Sequence, residues 1–177
     1  WQITLSASDA NRFVLRWARA IAGRPKLLVF DGCYHGTVDD VFVDLVDGRP
    51  QQRDSLLGQV HDLTATTRVV EFNDLAALEA ALAPGDVACV LAEPVMTNIG
   101  MVLPEPGFWE AAIPLIHRHG AKLVLGGFQR VLLVHHPRDG HAFAGRDLDR
   151  HHGAPGDGAS LDLDEITPQG FHLLGKA

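Results

Sequence analysis

The chain has 177 residues, 46% of them hydrophobic and 21% charged, which is enough apolar material for one domain with a real core. Its formal net charge of −7 lacks the basic face that nucleic-acid binding needs. No apolar run approaches the roughly 18 residues of a membrane-spanning helix, no signal peptide is visible, and two cysteines, Cys33 and Cys89, make no disulfide framework. A reducing compartment, the cytoplasm, is the expected location. The chain begins at Trp1 without Met and enters structure almost at once, which suggests a segment of a longer protein.

In chain order, Phe13, Val14, Trp17, Ala18 and Ile21 recur at helical spacing and predict a helix over 9–22. Ser8 is the expected N-cap and Gly23 the stop. Lys26–Phe30 (KLLVF) reads as a short buried strand. Residues 31–66 are rich in Asp, Gly and Thr and read mostly as loop. A second strand is expected at Arg68–Phe72 (RVVEF), followed by a helix capped by Asn73 and ended after Leu82 by Pro84-Gly85. Val87–Ala92 (VACVLA) is a third strand. Phe108, Ala112, Leu115 and Ile116 mark a helix within 106–119, and Leu123–Leu125 is a fourth strand. Strands alternating with helices predict an α/β fold with a mostly parallel sheet.

The character changes after Leu125. Residues 126–177 hold half of the 18 glycines and six of the 10 histidines, and apart from Val131–Val134 their periodicity is poor. The run HHPRDGHAFAGRDLDRHHGAPGDGAS reads as a linker or as arbitrary translation. The expected division is 1–125 and 126–177, the second part frame-shifted or inserted.

Three segments have the composition of a site. Ser6-Ala7-Ser8-Asp9-Ala10 opens a helix, where small residues let backbone N–H groups approach a phosphate; a plain cap reads the same. Asp31-Gly32-Cys33-Tyr34-His35-Gly36-Thr37 follows a strand directly, and Tyr34 could stack on a flat ring or sit in an ordinary turn. Glu93-Pro94-Val95-Met96-Thr97-Asn98 follows another strand and offers a carboxylate and an amide, or a turn. The histidines at 135, 136, 141, 151 and 152 lack paired metal-ligand spacing, so no metal is expected. Neither Gly-x-Gly-x-x-Gly after the first strand nor a Gly-Lys-Ser/Thr loop is present, which removes the main support for nicotinamide and nucleoside-triphosphate chemistry.

From Trp1 to Leu125 the chain resembles the class III pyridoxal-phosphate-dependent aminotransferases, and more closely the glutamate-1-semialdehyde aminomutase branch. SASDANRFVLRWARAIAGRPKLLVFDGCYHGT is similar to that family's Ser-Gly-Ser/Thr-Glu-Ala helix start and Tyr-His-Gly loop. LAEPVMTNIGMVLPEPGF is similar to its Glu-Pro-Val stretch. The resemblance implies a partial large domain of the fold-type-I pyridoxal-phosphate-dependent transferase fold, with pyridoxal 5'-phosphate as cofactor. Ala7 and Ser8 would cup its phosphate, Ala7 standing where Gly is commoner. Tyr34 would stack on the ring with His35 nearby, and Glu93 and Asn98 would border it. An amino acid or amine, with a keto acid or aldehyde, would be the substrates of a homodimer. The resemblance also implies Asp-Glu after the fourth strand, its Asp pairing with the ring nitrogen, and here Gly126-Gly127 stand in those places. Lys176, in LLGKA, is the candidate for the catalytic lysine, though it lies farther from position 126 than the resemblance implies. Asp164-Glu165 lies too close before it to serve as the missing pair. An inactive fragment or pseudoenzyme is the alternative expectation, and an unrelated α/β binding domain a third.

Overall fold

The computed structural model describes the backbone of residues 3–127, 130–134 and 144–146. Helix α1 (Ala7–Ala22) turns a stripe of Asn11, Leu15 and Ala18 inward. Its N-cap is Ser6, not Ser8. Ser6 is extended and its Oγ accepts from the Asp9 amide at 3.2 Å. Ser8 therefore falls in the first turn. Gly23, in the left-handed region at φ +63°, closes the helix by donating to the Arg19 carbonyl, as expected for a C-terminal stop.

Strand β1 (Lys26–Phe30) follows, and residues 31–66 are more structured than their composition suggests. They hold 3-10 turns at Asp39–Val41 and Leu63–Ala65 and a hairpin of β2 (Val43–Val46) and β3 (Arg49–Gln52). The RPQQ strand has no apolar alternation to betray it. Strand β4 (Thr67–Val70) is shorter than the expected RVVEF, because Phe72 leaves the sheet for a cluster with Phe30, Phe108 and Trp109. Asn73 does not cap the next helix. It takes a left-handed φ of +70°, and its side chain holds the Glu105 amide and the Leu103 carbonyl. Asp74 caps α2 (Leu75–Leu82) instead, accepting from the Ala77 amide at 2.8 Å.

Strand β5 (Val87–Ala92) is buried at every residue, the mark of a strand covered on both faces. Helix α3 (Phe108–Arg118) leads into β6 (Lys122–Gly127), which runs two residues past the expected Leu125. The order β4-β1-β5-β6 is parallel throughout. Beyond it β7 (Arg130–Val134) and β8 (Ala144–Arg146) add antiparallel strands. The structure is thus α/β, with a mostly parallel sheet and flanking helices. Among the described residues no helix is long and apolar enough to cross a membrane, and Cys33 and Cys89 are free and buried. Burial pushes both thiols up to about 12, so they are held as neutral, inert groups.

The parallel order decides where chemistry can gather. β1 and β5 are neighbours, so the segments leaving their carboxyl ends lie side by side, and β6 ends next to them. Ligands of open α/β sheets bind along this edge.

Candidate functional site

The start of α1, the loop after β1 and the loop after β5 meet around one cleft of about 440 Å³. Ala7, Ser8, Tyr34, His35, Glu93 and Asn98 all line it, so every described residue expected at a shared site is in one place. Asn11, Gly36, Thr97 and Gly126 complete the lining. Lys176 lies outside the described residues, as do Asp164, Glu165 and the histidines at 135, 136, 141, 151 and 152. Among the described residues there is no group of side chains arranged to hold a metal ion.

The cleft is held open by cross-links between its three segments. Glu93 is 5% exposed, and its carboxylate is fully used. Oε1 accepts from the Tyr34 amide at 3.1 Å, while Oε2 accepts from the Thr97 amide at 3.1 Å and the Thr97 hydroxyl at 2.6 Å. One carboxylate therefore fastens the β1 loop to the β5 loop. Asn98 repeats the link by donating from Nδ2 to the Gly32 carbonyl at 3.0 Å. The β5 loop is also fixed from beneath, where the Trp109 indole donates to the Pro94 carbonyl at 3.0 Å.

Helix α1 is fastened to the β1 loop in the same way. The Ser8 hydroxyl accepts from the Thr37 amide at 3.0 Å, and Asn11 Nδ2 donates to the His35 carbonyl at 3.0 Å. Arg12 reaches the Thr37 carbonyl and hydroxyl from outside. The close approach requires Gly36, whose φ is +78°. A Cβ there would collide with the Ser8 hydroxyl and stand 3.0 Å from Ser8 Cβ and 3.2 Å from its Cα.

These links leave defined surfaces free for a ligand. The amides of Ala7 and Ser8 belong to the first turn, whose N–H groups have no intrahelical acceptor. They stand at the positive end of the helix dipole, at the edge of the cleft that Ala7 and Ser8 line. Tyr34 is pinned by its amide, and the residue, 51% exposed, lines the cleft. His35 is 4% exposed. Burial pushes its pKa down to about 4, with Arg53 acting the same way; Glu93 and a hydrogen bond to the backbone of Leu91 oppose the shift. The imidazole is neutral at ordinary pH. Gly126 ends the strand side of the cleft, where a Cβ would make only van der Waals contacts of 3.6 Å to His35 Nδ1, 3.7 Å to Asn11 Oδ1 and 3.8 Å to Leu91.

Asn11 is the lining residue that the sequence reading missed. Its signal was available, since an amide at 11 precedes Leu15 and Ala18 on the buried stripe of α1. A polar side chain in such a stripe must find a partner across the core boundary.

No family model matches the chain. It is 37% identical over 130 residues to glutamate-1-semialdehyde 2,1-aminomutase from Neisseria meningitidis (serogroup C / serotype 2a), an alignment covering 70% of this chain and 30% of that protein. Among solved structures it is similar to a glutamate-1-semialdehyde aminomutase from Pseudomonas aeruginosa PAO1, with a TM-score of 0.69 and 52% identity over 71% of this chain and 28% of the other. A transaminase with pyridoxal phosphate bound matches with a TM-score of 0.59 and 30% identity, over 68% and 29% of the two chains. Over about 70% of its length the chain is therefore related to class III pyridoxal-phosphate-dependent aminotransferases, and its sheet and helices are part of their fold. It spans about 30% of the length of the curated relatives it matches.

Proposed function

We propose that this segment binds pyridoxal 5'-phosphate and is part of an enzyme of amino-group transfer, of the glutamate-1-semialdehyde aminomutase type. The observation that carries the reading is the meeting of the α1 start, the Tyr34–Gly36 loop and the Glu93–Asn98 loop around one cleft. The residues fit the cofactor at two of three places. The amides of Ala7 and Ser8 suit its phosphate, and Tyr34 offers an aromatic face to its ring. Glu93 and Asn98 act as positioning residues that hold the two loops at a fixed separation. At the third place the fit fails, because Gly126 brings no carboxylate to the ring nitrogen.

When bound, the cofactor supplies an electron sink for the carbon that carries the amino group. Everything else falls to the protein: seating the phosphate, orienting the ring, excluding water and moving protons. Lys176 is proposed as the lysine that would hold the cofactor covalently. An amino acid or amine with a keto acid or aldehyde as substrates, a homodimer and a cytoplasmic location belong to the same reading. So does a division at Leu125, which is tested by reading the coding DNA around that residue in all frames for Asp-Glu codons.

A second reading, an inactive fragment or pseudoenzyme, is favoured by Gly126. Without a charged partner the ring nitrogen loses a hydrogen bond of the ionic kind, worth about 1.5–3 kcal/mol in ordinary settings and more where charge develops. Titration with pyridoxal 5'-phosphate, followed by visible absorbance and tryptophan quenching, tests the first reading; assays of glutamate 1-semialdehyde isomerisation and of amino acid–keto acid exchange test the second. Saturable binding without turnover above the free cofactor is expected. Absence of saturable binding refutes the cofactor assignment, and turnover that requires Lys176 refutes inactivity.

A further inference from the structure

The peptide group between Cys33 and Tyr34 is gripped at both of its polar ends by charged side chains. Its N–H donates to Glu93 Oε1 at 3.1 Å, and its carbonyl accepts from Arg53 Nη2 at 3.3 Å. The peptide bond is trans, so these two groups point in opposite directions. The carboxylate and the guanidinium therefore stand on opposite sides of one peptide plane. Turning the plane over would aim the carbonyl at the carboxylate and the N–H at the guanidinium, so a single orientation is favoured. The backbone alone does not supply this order, because Gly32 at φ +73° and Gly36 at φ +78° flank the segment and stiffen it little. Beneath the dominant effect of burial, Arg53 lowers and Glu93 raises the pKa of both Cys33 and His35, as two opposite charges beside one loop should.

Arg53 is itself held in place. It follows β3, and its amide donates to the Phe42 carbonyl at 3.0 Å, closing the base of the β2–β3 hairpin. Nε donates to Asp44 Oδ2 at 2.9 Å, Nη2 also reaches Asp44 Oδ1, and the guanidinium carbon lies 5.4 Å from the centroid of the Phe42 ring. The hairpin is tied to the end of β1, where Asp31 Oδ1 accepts from the Leu45 amide at 2.6 Å. A planar fork can serve Asp44 and the Cys33 carbonyl together, which the point charge of a lysine cannot do in one geometry. We infer that Arg53, which does not line the cleft, is a positioning residue for it: with Glu93 it fixes the plane of the Cys33–Tyr34 peptide and so the direction in which Tyr34 leaves the backbone. On the cofactor reading proposed above, on which this clause rests, Arg53 thereby sets where Tyr34 meets the ring of pyridoxal phosphate.

Tyr34 is the only tyrosine of the chain, and Cys33-Tyr34 its only Cys-Tyr pair. Protein labelled with carbonyl carbon-13 cysteine and nitrogen-15 tyrosine therefore gives one carbonyl–amide correlation by NMR, from this peptide alone. In Arg53→Met the carbonyl resonance should move upfield as it loses its donor, and the amide-to-Hα coupling of Tyr34 should move toward the averaged value of a freer φ. The control is Gln52→Ala, which removes the hairpin's bond to the Leu63 amide without touching the clamp and should leave both signals in place. An unmoved correlation in Arg53→Met, or an equal change in Gln52→Ala, overturns the inference. In a second arm, pyridoxal 5'-phosphate is titrated into the parent and both variants and followed by the ring carbons of carbon-13 tyrosine. Binding should weaken about tenfold in Arg53→Met, the low end of what a hydrogen bond to a charged group is worth, and hold its parent value in Gln52→Ala. Equal affinity in the parent and Arg53→Met overturns the assignment of Arg53 to the cleft and leaves the cofactor reading intact. If the parent binds no pyridoxal phosphate, the cofactor reading fails, and the carbonyl–amide correlation alone upholds or overturns the clamp.

Discussion

Replacing Glu93 separates its role as a fastener from any role as an acid or base. In Glu93→Ala the amides of Tyr34 and Thr97 and the Thr97 hydroxyl lose their acceptor. The hydroxyl can rotate to another partner. Each amide left unmet in a buried setting costs about 1–3 kcal/mol. The half-exposed Tyr34 recovers part of its cost from water, which leaves about 3 kcal/mol for the pair. Glu93→Gln keeps the shape and one acceptor oxygen. Turned to keep both Thr97 bonds, it sacrifices the Tyr34 bond alone and should cost about 1.5 kcal/mol. Urea unfolding at neutral pH reads both values as shifts in midpoint at constant slope. Because the lost links join the two loops, cofactor affinity should fall in the same order, Ala before Gln. Two equal losses, or an Ala variant within about 0.5 kcal/mol of the parent, would refute the idea that this carboxylate ties the loops together.

Acidification tests His35. Its pKa falls from 6.5 to about 4 on folding, so the unfolded chain takes up the proton first and stability is lost as pH drops through that window. The full loss is about 3 kcal/mol, and comparing urea unfolding of the parent with His35→Phe between those pH values should show that slope only in the parent. Gly36→Ala places a methyl against Ser8 at a left-handed φ; a loss of about 2 kcal/mol or more is expected, together with faster exchange of the Thr37 amide by hydrogen-exchange NMR. Gly126→Asp should be tolerated sterically, since its Cβ meets only van der Waals contacts. The new anion should raise the His35 pKa from about 4, read from its nitrogen-15 titration, and a variant in which His35 does not move would place residue 126 away from the imidazole.

The parallel strands were legible in the sequence because burial on both faces writes them as unbroken apolar runs, KLLVF and VACVLA. The two loops were legible because each follows such a strand directly. Local polarity hid β2 and β3, and the caps shifted by one or two residues because Ser6 and Ser8, or Asn73 and Asp74, offer the same side-chain chemistry within one turn. Only coordinates show that Asn73, set in a left-handed turn, spends its amide on Glu105 and Leu103.

The role of Gly126 shows where reading along the chain stops. The sequence displays a missing carboxylate, which is a statement about one position. What that position faces is set by contacts that the chain order does not display: Asn11 reaches the His35 carbonyl across 24 residues, and both then border a strand end far along the chain. A Cβ at 126 would stand 3.6 Å from His35 Nδ1, 3.7 Å from Asn11 Oδ1 and 3.8 Å from Leu91, so that one position is set against the β1 loop, helix α1 and strand β5 at once.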